Sequence, residues 1–242
     1  MNLENTSLAG QTRGFPDTTW GVLSQLQATP TASHREGLET LSRRYWRPVY
    51  CYLRLRWGKS NEDAKDLTQA FFLWLLEGDA LQQYSRERGS FRGYVKVLLR
   101  GFVSHDGSAR DAVKRGGRVR TFSLDKCEVP LADPNSPDPE AAFDKSWVKE
   151  VIRIAVDRVR DRLISSGRES HFRIYEKYEM APEAARPTYE SIASELGIKV
   201  SDVRNRLFAA REMVRNELRV EIAGTTQGGK ELEDEWHDLF GP

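Results

Sequence analysis

The side chains able to do chemistry are few and scattered. His34, His105, His171 and His237 stand alone, and none forms a His-x-x-x-His or Glu-x-x-His pair. Such spacing is what puts two metal ligands on one helix face. Gly116-Gly117 and Gly228-Gly229 lack the lysine and serine of a phosphate-cradling loop. No serine sits in a nucleophile elbow. Cys51 and Cys127 lie far apart and supply neither a disulfide framework nor a four-ligand zinc site. The pattern predicts no enzyme, no cofactor and no metal. The side chains that remain suited to a specific task are those that read nucleic acid.

The strongest such pattern lies between residues 189 and 215. Tyr189-Glu-Ser-Ile-Ala193 opens a short helix, Leu196-Gly197-Ile198 breaks it, and Val203 and Leu207 return the next helix onto the first. A small residue at 193 allows close approach, Gly197 supplies a left-handed turn, and Val203 packs in the crossing. This is the spacing of a helix-turn-helix, whose second helix enters a major groove. Val203, Leu207, Ala210 and Val214 are expected to face inward. Ser201, Asp202, Arg204, Asn205, Phe208 and Ala209 are expected outside, near the end that reaches base edges. Arginine and asparagine suit bidentate base readout, and Arg206, Arg211 and Arg215 suit phosphates.

Further elements must hold these side chains in place. The chain has 242 residues, 39% of them hydrophobic and 30% charged. That apolar share suffices for small cores. The apolar run around Phe71–Leu76 falls far short of the roughly 20 residues of a bilayer span. The polar start, Met1–Gly10, has no apolar signal core, so the expected location is cytoplasmic. Leu41, Tyr45, Val49, Tyr52 and Leu53 recur at helical spacing. A second helix starts at Ser60 or Asn61 and stops near Gly78, and a third begins after Gly89. In the second half Trp147 to Leu163, Phe172 to Tyr178, about 188–196 and 200–220 read as helices. Pro130, Pro134, Pro137 and Pro139 break regular structure, so 121–145 reads as a linker. The predicted fold is all-α: two small helical domains joined by a Pro-rich acidic linker. The boundaries are an N-terminal extension at 1–33, a first domain at 34–118, the linker at 119–145, a helix-turn-helix domain at 146–222 and an acidic tail at 223–242.

Net charge is only +1, from 37 basic and 36 acidic residues. That balance conceals a partition. Residues 86–120 hold ten basic residues against three acidic ones, whereas 121–146 and 221–242 each hold six acidic residues and at most two basic ones. The concentrated positive stretch, interleaved with aromatics, is a footprint for a phosphate backbone. Leu232, Trp236, Leu239 and Phe240 lie at helical spacing on the acidic end. Such a face needs a partner surface, either the second domain or the chain's own basic helix.

With these motifs in place, residues 34–220 resemble the extracytoplasmic-function class of sigma-70-type RNA polymerase sigma factors. The resemblance is carried by Tyr45-Trp-Arg-Pro-Val-Tyr-Cys-Tyr-Leu53, Asp63-Ala-Lys-Asp-Leu-Thr-Gln-Ala-Phe-Phe72, Gly89-Ser-Phe-Arg-Gly-Tyr94 and Val203-Arg-Asn-Arg-Leu-Phe-Ala-Ala-Arg-Glu212. The opening from Phe15 to Trp20 resembles a subset of that class. The resemblance implies that Asp63, Asp66, Gln69 and Phe72 meet the polymerase clamp. It implies that Arg88, Ser90, Phe91, Arg92, Tyr94, Lys96 and Arg100 melt and hold the −10 element. It implies that Ser201, Arg204, Asn205, Arg206, Phe208 and Arg211 read the −35 element. Lys65 and Ala70 depart from acids common in the family, Gly101 from an asparagine, and Ala209 from an arginine.

The expected partners are therefore core RNA polymerase and promoter DNA, with an anti-sigma protein or a Ser/Thr kinase as further ones. Thr68 lies within the weakened acidic face, where a phosphate would add about −1.5 to −2 of charge. It is the candidate phosphosite. The alternative function is a helix-turn-helix regulator that binds an operator without serving the polymerase.

Overall fold

A computed structural model describes residues 32–58, 60–104, 138–226 and 229–241. The described residues form eight α-helices and no strand, as the helical periodicities require. The helices are α1 (Ala32–Trp57), α2 (Asn61–Glu77), α3 (Phe91–Ser104), α4 (Pro139–Ser165), α5 (Glu169–Glu179), α6 (Tyr189–Leu196), α7 (Val200–Ala223) and α8 (Lys230–Phe240). The Phe15 to Trp20 motif, Cys127 and the basic residues from 110 to 120 lie outside the described residues.

Local chemistry accounts for the helix ends. Ser60 caps α2, its hydroxyl accepting from the Asp63 amide at 3.2 Å, and Glu62 and Asp63 face the positive end of the helix. α4 starts inside the stretch read as linker. Asp138 accepts from the Glu140 amide at 2.9 Å, and Pro139 takes the first helical position, where its missing N–H costs nothing. The proline that signalled a break is thus a helix start, and 139–145 is helical rather than linker.

The core centres on α1 and α4, which make the most extensive helix–helix contact. Leu41, Tyr45, Val49, Tyr52 and Leu53 of α1 are buried, as are Phe143, Trp147, Val151, Ala155, Val159 and Leu163 of α4. α2 and α3 join through aromatic edges. Phe71 meets Phe102 at 5.4 Å between ring centroids, Tyr45 meets Phe91 at 5.3 Å, and Trp46 stacks on Phe72 at 5.9 Å. α7 closes the other side with Val203, Leu207, Ala210, Val214, Leu218 and Ile222. These residues belong to one continuous buried cluster. The helices on either side of the residues outside the description therefore share a core.

A buried ion cluster crosses this core. Arg44 of α1 lies 3.2 Å from Glu221 of α7, and Arg158 of α4 pairs with the same carboxylate. Glu221 is 2% exposed, so its charge depends on both arginines.

Phe143 has no exposed surface and lies in the buried cluster that α4 shares with α1. We expect Phe143→Ala to lower the unfolding free energy by about 3–5 kcal/mol, read by chemical denaturation. A loss below about 1 kcal/mol would show that the seam between α1 and α4 does not hold the fold.

Candidate nucleic-acid interface

The helix-turn-helix forms from α6 and α7. Thr188 caps α6 by accepting from the Ser191 amide at 3.1 Å. Gly197 ends it at φ +64°, and the Ile198 amide returns to the Ala193 carbonyl at 3.0 Å. This is the left-handed cap that glycine adopts without penalty. At the start of α7 the Asp202 carboxylate accepts from the Lys199 amide at 3.3 Å. That bond caps the helix from inside although Lys199 has no side-chain acceptor.

The predicted facing holds for each inward residue. Val203, Leu207, Ala210 and Val214 are buried. Ser201, Arg204, Asn205 and Phe208 are exposed, and Asp202 and Ala209 half-buried. Phe208 is 66% exposed, a solvent position that packing does not explain. Arg206 departs from its phosphate assignment. It is half-buried and donates to the Ser170 hydroxyl at 3.0 Å, tying α7 to α5.

Two tyrosines absent from the predicted site support this surface. Tyr178 and Tyr189 lie 5.0 Å apart. Arg204 sits over Tyr189 at 5.8 Å, and Arg186 and Arg211 sit over Tyr178 at 5.3 and 5.4 Å. Arg211 also donates to Glu179 at 2.6 Å. The rings hold the guanidinium planes by cation–π attraction. The signal in the sequence was weak, because Tyr178 precedes the helix-turn-helix and lies on α5.

The second predicted surface runs along α3. Arg88 and Arg100 are exposed, and Ser90, Tyr94 and Lys96 are half-buried. With Tyr84, they line a shallow cleft of about 460 Å³. The Ser90 hydroxyl accepts from the Gly93 amide at 3.2 Å, and Tyr94 donates to the Ala80 carbonyl at 2.6 Å. Phe91 differs from its assignment. It is wholly buried against Tyr45 and Tyr84, so its ring seats α3 and is no open stacking platform. Arg92 is also buried, sandwiched between Asp144 and Glu235 and lying over Trp147 at 5.7 Å. Burial opposes its charge, but the bonds to Glu235 and Asp144 hold it charged more firmly than an ordinary arginine.

The third predicted surface is on α2. Asp63, Asp66 and Gln69 are exposed on one side. Phe72 is buried beneath Trp46, on the opposite side. Thr68 is fully buried, and its hydroxyl donates to the Ala64 carbonyl at 2.7 Å. A kinase cannot reach that hydroxyl while α2 is packed, so the phosphosite expectation is withdrawn. Among the described residues no group of three or more His, Cys, Asp or Glu is placed to hold a metal ion. No described helix is long and apolar enough to cross a membrane.

With the geometry in hand, comparison with known proteins gives the resemblance a second footing. The "ECF RNA polymerase sigma factor SigE" of Mycolicibacterium smegmatis (strain ATCC 700084 / mc(2)155) is 26% identical over 177 residues, which is 72% of this chain. The chain is thus similar to an extracytoplasmic-function sigma factor. It spans 59% of the length of that curated protein. No protein-family model matches the chain, and no solved structure matches it. The all-α architecture agrees with the sigma-factor relationship.

Two expectations test this geometry. A Cβ at Gly197 would meet nothing within 4 Å, so the cost of Gly197→Ala is conformational alone. We expect a loss of about 1–2 kcal/mol in the unfolding free energy, and less for Gly197→Asn. The second concerns His171, whose Nδ1 is enclosed without a hydrogen-bond partner. Burial, with Arg206 and Arg168 nearby, pulls its pKa below the ordinary 6.5. The unfolded chain then binds the proton more readily. The stability that neutral His171 contributes is full above the ordinary value and is lost as pH falls through the depressed one. We expect His171→Phe to narrow the difference in thermal midpoint measured on either side of that window.

Proposed function

We propose that this chain is a promoter-specificity subunit: it binds core RNA polymerase and directs initiation at a −35 and a −10 element. The observation that carries the reading is the outer face of α7. Arg204, Asn205 and Phe208 stand exposed near the start of a helix set by a Gly197 turn, the arrangement a major groove accepts. The similarity to an extracytoplasmic-function sigma factor supports the same role.

In this reading α5–α7 form the −35-directed part, with Ser201, Arg204, Asn205, Phe208 and Arg211 toward DNA and Arg206 bracing α7. α1–α3 form the polymerase- and −10-directed part. Asp63, Asp66 and Gln69 face the clamp. Arg88, Ser90, Tyr94, Lys96 and Arg100, with Arg92 once uncovered, face the melted strand. Positive side chains beside a cleft suit single-stranded DNA. The role asks for no bond-making by this chain, and it belongs in the cytoplasm with the polymerase. An anti-sigma protein is a third partner that the same surfaces would accept.

The test is transcription in vitro with core polymerase and a library of promoter fragments. We expect transcripts from a subset of fragments only. Arg204→Ala and Asn205→Ala should each weaken duplex recognition by about 1–3 kcal/mol, relaxing sequence preference. Asp66→Lys should reduce capture of core polymerase while leaving duplex binding by the free chain unchanged. DNA binding without polymerase capture would instead identify an operator-binding regulator.

A further inference from the structure

The cationic surface of α3 is already occupied by acids from later in the same chain. Arg92 donates through Nε to Glu235 of α8 at 2.6 Å and through Nη1 to Asp144 of α4 at 2.5 Å. Lys96 reaches the other oxygen of Asp144 at 3.0 Å, and Arg100 lies 3.6 Å from Glu140. The cations come from the first part of the chain and the acids from the second.

The C-terminal segment adds backbone contacts to these charges. The Thr225 carbonyl accepts from the Phe91 amide at 3.1 Å and from the Tyr84 hydroxyl at 3.2 Å. It satisfies an N–H that the first turn of α3 cannot satisfy itself. α8 is held to α7 by Arg219, which pairs with Glu233 at 3.2 Å and lies over Trp236 at 5.1 Å. Its apolar side, Leu232, Trp236, Leu239 and Phe240, packs on the common core.

We propose that α8, with Glu235 as its key residue, is an in-chain occupant of the α3 surface that single-stranded DNA must displace. The inference rests on the nucleic-acid reading above and names the competitor for that same site. Carboxylates take the place of phosphates on Arg92 and Lys96. With Glu235 gone, the buried Arg92 keeps Asp144 but its Nε loses its anion, an unfavourable state for a buried charge. Departure of Glu235 and arrival of a phosphate are therefore coupled, and exchange is easier than release followed by binding. An open cleft of about 550 Å³ beside the pair, lined by Arg92, Lys96, Lys145 and Lys149 against Asp144 and Asp238, gives a phosphate its approach. The closed form therefore holds back nucleic acid from α3 while leaving the outer face of α7 exposed.

The experiment uses the full-length chain, its Glu235→Gln variant and, as a second route, Asp144→Asn. The probes are a fluorescein-labelled single-stranded oligothymidylate and a mixed-sequence duplex. Hydrogen exchange at the Phe91 amide reports whether Thr225 has let go of α3, and unfolding curves confirm that each variant is folded. We expect Glu235→Gln to bind the single strand about tenfold tighter, a change of about 1.4 kcal/mol, with duplex binding unaltered. We also expect the single strand to speed exchange at Phe91 in the wild-type chain. Equal single-strand affinity for wild type and both folded variants, with duplex binding retained, overturns the occupant role alone. Failure of all three proteins to bind either probe overturns the nucleic-acid reading with it.

Discussion

Among the described residues, the other helices are placed by the seam between α1 and α4. Tyr45, Val49 and Leu53 from one helix and Phe143, Trp147 and Val151 from the other are buried in one cluster. α2 and α3 lean on it through aromatic edges, and α7 covers it from the other side. Apolar area removed from water is the main favourable contribution to such a fold. A seam drawn from both halves of the chain makes their stabilities interdependent. It also fixes where the charged side chains at its border must meet.

That border carries the electrical character of the protein. The near-zero net charge is the sum of a basic stretch and acidic later segments, and among the described residues Arg92, Lys96 and Arg100 meet Glu140, Asp144 and Glu235. The buried pairs, Arg44 with Glu221 and Arg92 with Glu235, are shielded from salt. The outer pair, Arg100 with Glu140, has more than a third of each side chain exposed and is readily screened. Ionic strength therefore acts on the rim of the contact before its centre. By contrast, the exposed face of α7 is held by tyrosine rings and by the half-buried Glu179 beside Arg211, with no buried acid among them.

Much of the fold was legible wherever the information was local. The Ala193, Gly197, Val203 spacing located the turn, and a helical period placed Val203, Leu207, Ala210 and Val214 inside. Local signals also misled where two readings of one residue competed. Pro139 reads as a breaker because other prolines crowd it, yet Asp138 before it makes it a helix start. Thr68 was assigned to a charged face, although Ala64, Thr68, Phe71 and Leu75 form one buried stripe at helical spacing. Phe91 and Phe72 have side chains that suit either stacking or a core, and only tertiary packing separates the two. The pairing of Arg92 with Glu235 spans 143 positions. No window-sized pattern encodes a contact of that range, although the acidic, apolar character of the tail suggested a partner. The arginine-holding tyrosines were hidden for the same reason, since Tyr178 and Tyr189 meet only when α5 packs beside α6.

The Thr225 carbonyl has a consequence in time as well as in space. It bonds to the Tyr84 hydroxyl across 141 positions and completes the first turn of α3. Ribosomal synthesis proceeds from the N-terminus, so α1, α2 and α3 emerge well before that carbonyl exists. On the ribosome the basic helix stands without its cap and without its acidic neighbours. A nascent chain therefore passes through a stage in which its cations are open to the RNA around it. Synthesis of α4, with Glu140 and Asp144, first covers them, and the segment with Thr225 and Glu235 completes the cover.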